Sequence, residues 1–361
     1  MTQIISILMT MVMFLFPTLN VSKIEVNKEN WNTDYDYVYV HGLSGWGSYD
    51  VQNNFLPYWG MFGGDMIKNL NSLGFKCHAA SVDPKGSAWD RACELYAQLT
   101  GTRVDYGKAH SEKFGHDRYG KDFSKNPLLK SWSSEDKINL LGHSFGGVTV
   151  RLLAELMANG SEEEIAATAK DDISQFFTGG KADWIYSITT LAAPTNGTTA
   201  YGFSDPELLP DHDVAAYDMY IDNALAINER ISTYENTYYF AIPCSATVQN
   251  EDGTWSFDES INVEFPVRNT GERMMNLTGT TPKGFVVDET WLESDGMVNT
   301  ISAGAPFNAP SKDLDRENIE PGIWNVAEVY RGDHMAFCGD LFRPNNIRPF
   351  FADWMNMINS I

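Results

Sequence analysis

The sequence predicts an α/β fold, a mostly parallel central sheet flanked by helices, and three observations carry that expectation. Short apolar strands alternate with helix-period segments. The strands are apolar through most of their length, as burial on both faces requires. One of them runs into Gly142-His143-Ser144-Phe145-Gly146 and straight on into a helical pattern. A chain of 361 residues, 43% apolar and 13% aromatic, can bury the core such a fold needs.

Residues 35–40 (YDYVYV), aromatic and β-branched, read as the first strand and end at His41-Gly42-Leu43-Ser44-Gly45. Apolar positions at helical spacing follow over 64–73, then a strand over 75–82 and an amphipathic helix over 88–99 (AWDRACELYAQL). Residues 137–141 form the next strand, and the helix over 147–157 is closed by Asn159-Gly160. Strands at 184–192 and 237–242 flank a mostly helical 214–231, and 350–361 reads as a last helix. Two stretches break this rhythm. Residues 102–132 are polar and rich in Lys, Asp, Gly and His, and 246–289 show no period. Both are expected as insertions, bounded near 86–132 and 245–290, on one core running from residue 23 to 361.

The formal net charge of −22 excludes a nucleic-acid partner, which needs clustered Lys and Arg, and disfavours an anionic membrane surface. Residues 4–16 (IISILMTMVMFLF) match the length of a signal-peptide apolar region and are short for a bilayer span. A signal peptide over 1–22 and an extracellular protein are therefore expected, although no Lys or Arg precedes the run. An uncleaved membrane anchor is the alternative. Cys77, Cys93, Cys244 and Cys338 are widely spaced without a CxxC pair, which excludes a thiolate zinc cluster and points to buried free thiols.

A Gly-x-Ser-x-Gly pattern is weak alone, but between a strand and a helix it is what a nucleophile elbow demands. The glycines remove Cβ clashes in the tight turn and leave Ser144 at the carboxyl edge of the sheet. Phe145 N–H is then placed to bind an oxyanion, and the turn after the first strand offers a second donor, Leu43 N–H. A base must follow the serine, with an acid between them. Of the seven histidines only His212 and His334 follow Ser144, and only His334 leaves room for an acid. Asp295, on the glycine turn Ser294-Asp295-Gly296, suits that part. Singly, Asp295 reads as a turn residue and His334 as a loop histidine; their order with Ser144 makes the set. His110 and His116, six apart in a polar stretch, suit a divalent metal if carboxylates join them, or are solvated loop histidines. Spacing does not select the carboxylates among 48 acidic residues.

With these residues in view, the chain resembles the zinc-containing true lipases of bacilli and staphylococci, a branch of the α/β-hydrolases. The matching pieces are HGLSGWG at 41–47, WDRACELYAQLTGTRVDYGKAHSEKFGH at 89–116, GHSFGG at 142–147, APTNGTT at 193–199, WLESDGMVNT at 291–300 and GDHM at 332–335. The resemblance implies Ser144 as nucleophile, Asp295 as acid, His334 as base, and Leu43 and Phe145 as backbone oxyanion donors. It also implies a structural Zn2+ held by Asp90, His110, His116 and Asp213. The family carries a long helical lid before the last of these ligands. Here Thr198 and Asp213 stand only 15 positions apart, so a much shortened lid region is expected. The family's Ca2+ site uses an acidic residue two positions after the base, where this chain has Ala336, and calcium is not assigned.

The function this implies is a secreted serine lipase acting on acylglycerols, with a lipid or small ester as its partner and no stable membrane insertion. The alternatives are a lidless carboxylesterase on short soluble esters and, in another class, a catalytically silent, zinc-stapled binding module.

Overall fold

In the computed structural model, which describes residues 24, 26, 28–340 and 346–361, the first strand shows how the sheet is built. Successive side chains of β1 (Asp36–Val40) leave on opposite faces. Val38 and Val40 enter one apolar cluster with Leu140 and Ile188, while Tyr37 and Tyr39 enter another with Leu141, Leu191 and Phe240. Both faces are dry, which explains why the strands read as continuous apolar runs rather than alternating ones. The expected signal peptide lies outside the described residues.

The sheet comprises β1, β2 (Cys77–Ala80), β3 (Ile138–His143), β4 (Ile185–Leu191), β5 (Tyr238–Ile242), β6 (Ser311–Asp313) and β7 (Trp324–Val326), in the order β6-β7-β5-β4-β3-β1-β2. Every neighbouring pair is parallel. The helices are α1 (Met66–Ser72), α2 (Ala88–Thr100), α3 (Lys108–Phe114), α4 (Phe145–Asn159), α5 (Glu162–Ala167), α6 (Ile221–Asn228), α7 (Phe265–Met274) and α8 (Arg348–Asn359), with a single further turn at Ala215–Asp218. On one face α2 and α4 pack through Leu95, Leu99, Leu153 and Met157; on the other, α1 and α8 pack through Leu70, Phe351, Trp354 and Met355. All four cysteines are free and buried, and burial pushes each thiol pKa up.

Strand order reverses at β1: β1 leads outward to β2, and the chain returns to lay β3 on the other side of β1. Open parallel sheets bind ligands at the carboxyl end of such a switch point. Residue 144 follows β3 there, beside the turn that follows β1.

Sequence and structure differ at three places. β6 and β7 are strands of three residues each, and β6 is an exposed polar edge (SKD), too short and too polar to show a period. The stretch at 245–290, expected to be irregular, carries a short hairpin (Thr247–Gln249 with Trp255–Phe257), helix α7 and a second short pairing of Gly279–Thr280 with Val286–Val287. Its elements are too brief for periodicity to register. Finally, the helical 214–231 is interrupted at Tyr220, which caps α6 from an extended conformation.

Candidate active site

β3 ends at His143 and α4 begins at Phe145, so Ser144 alone makes the turn, at φ 54° and ψ −130°. A non-glycine residue held there costs about 1–3 kcal/mol, and its surroundings must over-determine it. Ser144 N–H donates to Leu191 at 2.9 Å, and Gly147 N–H donates to the Ser144 carbonyl at 2.9 Å. The flanking glycines are sterically required: a Cβ on Gly142 would stand 2.4 Å from the Gly146 backbone, and one on Gly146 2.2 Å from the Val40 carbonyl oxygen.

Ser144 Oγ lies 2.9 Å from His334 Nε2, and His334 Nδ1 lies 2.7 Å from Asp295 Oδ2. A carboxylate only accepts, so Nδ1 carries the hydrogen and Nε2 is left to receive the serine proton. Asp295 is fully buried on the turn before Gly296, whose φ of 94° serves the bend. Its Oδ1 accepts from Met297 N–H at 2.9 Å and Val298 N–H at 2.8 Å, and its carbonyl accepts from His334 N–H at 3.0 Å. Burial pulls the His334 pKa down, but the charge and hydrogen bond of Asp295 outweigh it and hold the imidazole above its ordinary 6.5. His212, the other histidine after the serine, stacks on Tyr217 and makes no contact with Ser144.

The turn after β1 presses against Ser144, since a Cβ on Gly42 would come 2.6 Å from Ser144 Cβ. Among the described residues neither Leu43 N–H nor Phe145 N–H has a hydrogen-bond acceptor. Buried Arg91 holds this turn: its guanidinium donates to the carbonyls of His41 and, at 3.4 Å, Gly42. The Gly42 carbonyl and Leu43 N–H share one planar peptide unit, so fixing the first aims the second. His41 beneath it is held neutral, its pKa lowered to about 3 by burial and by Arg91.

About the insertion, Asp90 on α2, His110 on α3, His116 just beyond it and Asp213 bring one ligand atom each within 4.8 Å of the others. His116 Nδ1 faces the Asp117 carbonyl at 3.0 Å and must donate to it, which leaves a lone pair on Nε2. That nitrogen lies 3.3 Å from Asp213 Oδ2, itself an acceptor, and is buried without a hydrogen-bond partner, while Asp90 Oδ1, also buried, lies 3.1 Å from His110 Nε2. Converging lone pairs of this kind fit a divalent cation, and two Asp with two His fit zinc. Trp89 stacks on His110 with ring centroids 5.1 Å apart, and buried Glu164 on α5 accepts Ala109 and His110 N–H at 3.0 and 2.8 Å, fixing the start of α3. No other group of three or more candidate ligands gathers among the described residues.

The segment from Thr198 to Asp213 holds only two single turns, Thr199–Tyr201 and Pro206–Leu208, and no lid helix. The second insertion instead flanks the Asp295 and His334 loops: Glu264 N–H donates to Asp333 Oδ2 at 2.8 Å, and Val267 of α7 packs against Gly296. Sequence reasoning missed Arg91, Glu164 and Asn299, whose side chain accepts from Thr199 N–H at 2.9 Å and donates to the Trp291 carbonyl to brace the Asp295 turn. Arg91 stands one residue from the predicted ligand Asp90, yet nothing in the sequence says that its guanidinium is buried.

A parallel sheet with a strained serine turn at its switch point, in reach of a histidine–aspartate pair, defines the α/β-hydrolase class. Comparison with known proteins narrows this. Residues 33–207 match the family model described as Lipase-like, C-terminal domain. Lipase 2 of Staphylococcus aureus strain N315 is 32% identical over 84% of this chain and 50% of that protein. EstA from Clostridium botulinum superposes with a TM-score of 0.82 at 28% identity, over 96% of this chain and 91% of that one. Staphylococcus hyicus lipase does so with a TM-score of 0.80 at 28% identity, over 92% and 98%. The chain belongs to the bacterial lipase family that includes the staphylococcal lipases. It spans about half the length of the curated relatives it matches.

Proposed function

We propose that this chain is an exported serine hydrolase that cleaves carboxylic esters of lipids, acylglycerols first among them, through Ser144, His334 and Asp295. The observation that carries the reading is the unbroken contact from Ser144 Oγ through His334 to Asp295, at 2.9 and 2.7 Å. His334 takes the Ser144 proton as Oγ attacks the ester carbonyl, and Asp295 stabilises the imidazolium that forms. The oxyanion sits against the Leu43 and Phe145 amides, each donor worth about 3–4 kcal/mol of barrier in comparable hydrolases. His334 then protonates the leaving alcohol, and water activated by the same imidazole releases the acid from the acyl-enzyme. Asp90, His110, His116 and Asp213 would hold Zn2+, whose part is structural, tying the insertion to α2.

The direct test is labelling by an active-serine phosphonate. Stoichiometric modification at Ser144 is expected, and its absence would favour a catalytically silent binding module. A second reading, a carboxylesterase on short soluble esters, is favoured by the short segment between Thr198 and Asp213. A chain-length profile separates the two. Acylglycerols require hydrolysis of emulsified long-chain substrate, whereas activity confined to short dissolved esters would establish the esterase. The raised His334 pKa sets a pH dependence for either: the base must be neutral, so kcat/KM should fall as pH drops through a midpoint above 6.5. A pH profile with its acid midpoint below 6.5 would contradict this.

A further inference from the structure

Beneath the nucleophile runs a hydrogen-bond chain whose direction is fixed by chemistry. His143, buried at the end of β3, has Nε2 2.8 Å from the backbone carbonyl of His334. A carbonyl only accepts, so Nε2 carries the hydrogen. Burial, with the nearby His334 ring 4.9 Å away, holds the His143 pKa well below its ordinary value, so the ring is neutral and Nδ1 is an acceptor. The Tyr58 hydroxyl, 2.7 Å from Nδ1, therefore donates to it, and its oxygen accepts Gly42 N–H at 3.1 Å. Cys338 Sγ, 3.4 Å from the same Nδ1, is the weaker donor. The order is thus Gly42 N–H to Tyr58, Tyr58 O–H to His143, and His143 N–H to the His334 carbonyl.

This chain ends on the two loops that the proposed chemistry must keep in step. Gly42 immediately precedes Leu43, and the accepting carbonyl belongs to His334 itself. We propose that Tyr58 and His143 are positioning residues that couple the oxyanion turn to the base loop through the residue preceding the nucleophile. The inference rests on the ester-hydrolase reading above and adds to it a pair of residues that touch none of the reacting atoms. Arg91 grips the Gly42 peptide from its carbonyl side and Tyr58 takes the Gly42 N–H, so neither alone fixes the turn.

Tyr58→Phe removes the phenol oxygen and keeps the ring that packs edge-on against Trp46 and Trp59. Active serines are counted by end-point phosphonate titration, so that kcat refers to folded molecules only. An oxyanion donor lost outright costs about 10²–10³-fold, so a donor left in place but loosened should cost about tenfold in kcat, with KM within about twofold. His143→Gln can still donate to the His334 carbonyl but offers no Nδ1 acceptor to Tyr58, and a fall of similar size is expected. The double variant should fall no further than the worse single one, because both cut the same chain. A purely structural pair would lower the titratable fraction and the melting temperature while leaving kcat per titrated site unchanged, and that result overturns the proposal. So would losses that multiply in the double variant. Should Tyr58→Phe yield no titratable serine, His143→Gln decides by the same criterion. A native protein that neither labels nor hydrolyses esters instead defeats the ester-hydrolase reading.

Discussion

Ser144→Ala is expected to lower kcat for p-nitrophenyl ester hydrolysis by about 10⁴-fold or more, the scale seen when a serine hydrolase loses its nucleophile. His334, Asp295 and the Leu43 and Phe145 amides stay in place, but His334 Nε2 then faces a methyl group where Oγ stood 2.9 Å away. What remains is polarisation of the carbonyl by the two amides, with no covalent path. The fold should persist. The variant loses one hydrogen bond, worth about 1 kcal/mol. Alanine at φ 54° bears the same backbone strain as serine, so the turn itself costs no more than before. Circular dichroism and metal content are therefore expected to match the native protein. Retention of about a tenth of the native rate would place the chemistry elsewhere.

Stripping the divalent ion with a chelator is expected to give the second-largest effect, on stability rather than on the bond-breaking step. An ion present at 1,000 times its dissociation constant stabilises the native state by about 4 kcal/mol. In a chain of 361 residues that corresponds to a melting-temperature change of about 5 °C. Asp213→Ala should reproduce the loss and remove its sensitivity to chelator, because Oδ2 faces both histidines of the group, at 3.1 and 3.3 Å. Retention should also depend on pH. Without the ion, burial lowers the His110 pKa but Asp213 and Asp90 raise it further, to about 9. Ion uptake must therefore displace a proton, and acidification should release the ion. Zinc below about half an equivalent in purified protein, with melting indifferent to chelator, would remove the proposed staple.

How much of this was legible in the sequence depended on the kind of constraint each residue obeys. The grouping of Ser144, Asp295 and His334 was legible because local chemistry and chain order both restrict such residues: a glycine-flanked turn, an aspartate before a glycine, a histidine late in the chain. The central strands showed themselves because burial on both faces makes them apolar throughout. β6 did not, since an exposed edge strand of Ser-Lys-Asp obeys neither rule. The four gathered Asp and His side chains come from positions 90 to 213, and spacing alone offered only the two histidines. Arg91, Tyr58 and Glu164 were invisible for a different reason. Their importance lies in which backbone group each one meets, and that is settled only when distant segments are packed together. A buried arginine whose partners are carbonyls of the turn at 41–42 has no sequence signature, because any residue type supplies a carbonyl.

The four buried thiols bear on where such a protein can work. No covalent bridge closes this fold among the described residues. A chain leaving a cell in this form would need no oxidant or disulfide exchange to mature, and reducing surroundings would leave its architecture intact. The clasp between the insertion and α2 draws instead on histidine nitrogens and carboxylates. With the proposed ion as its clasp, such a chain would be vulnerable to scarcity of metal and to acid rather than to reductant.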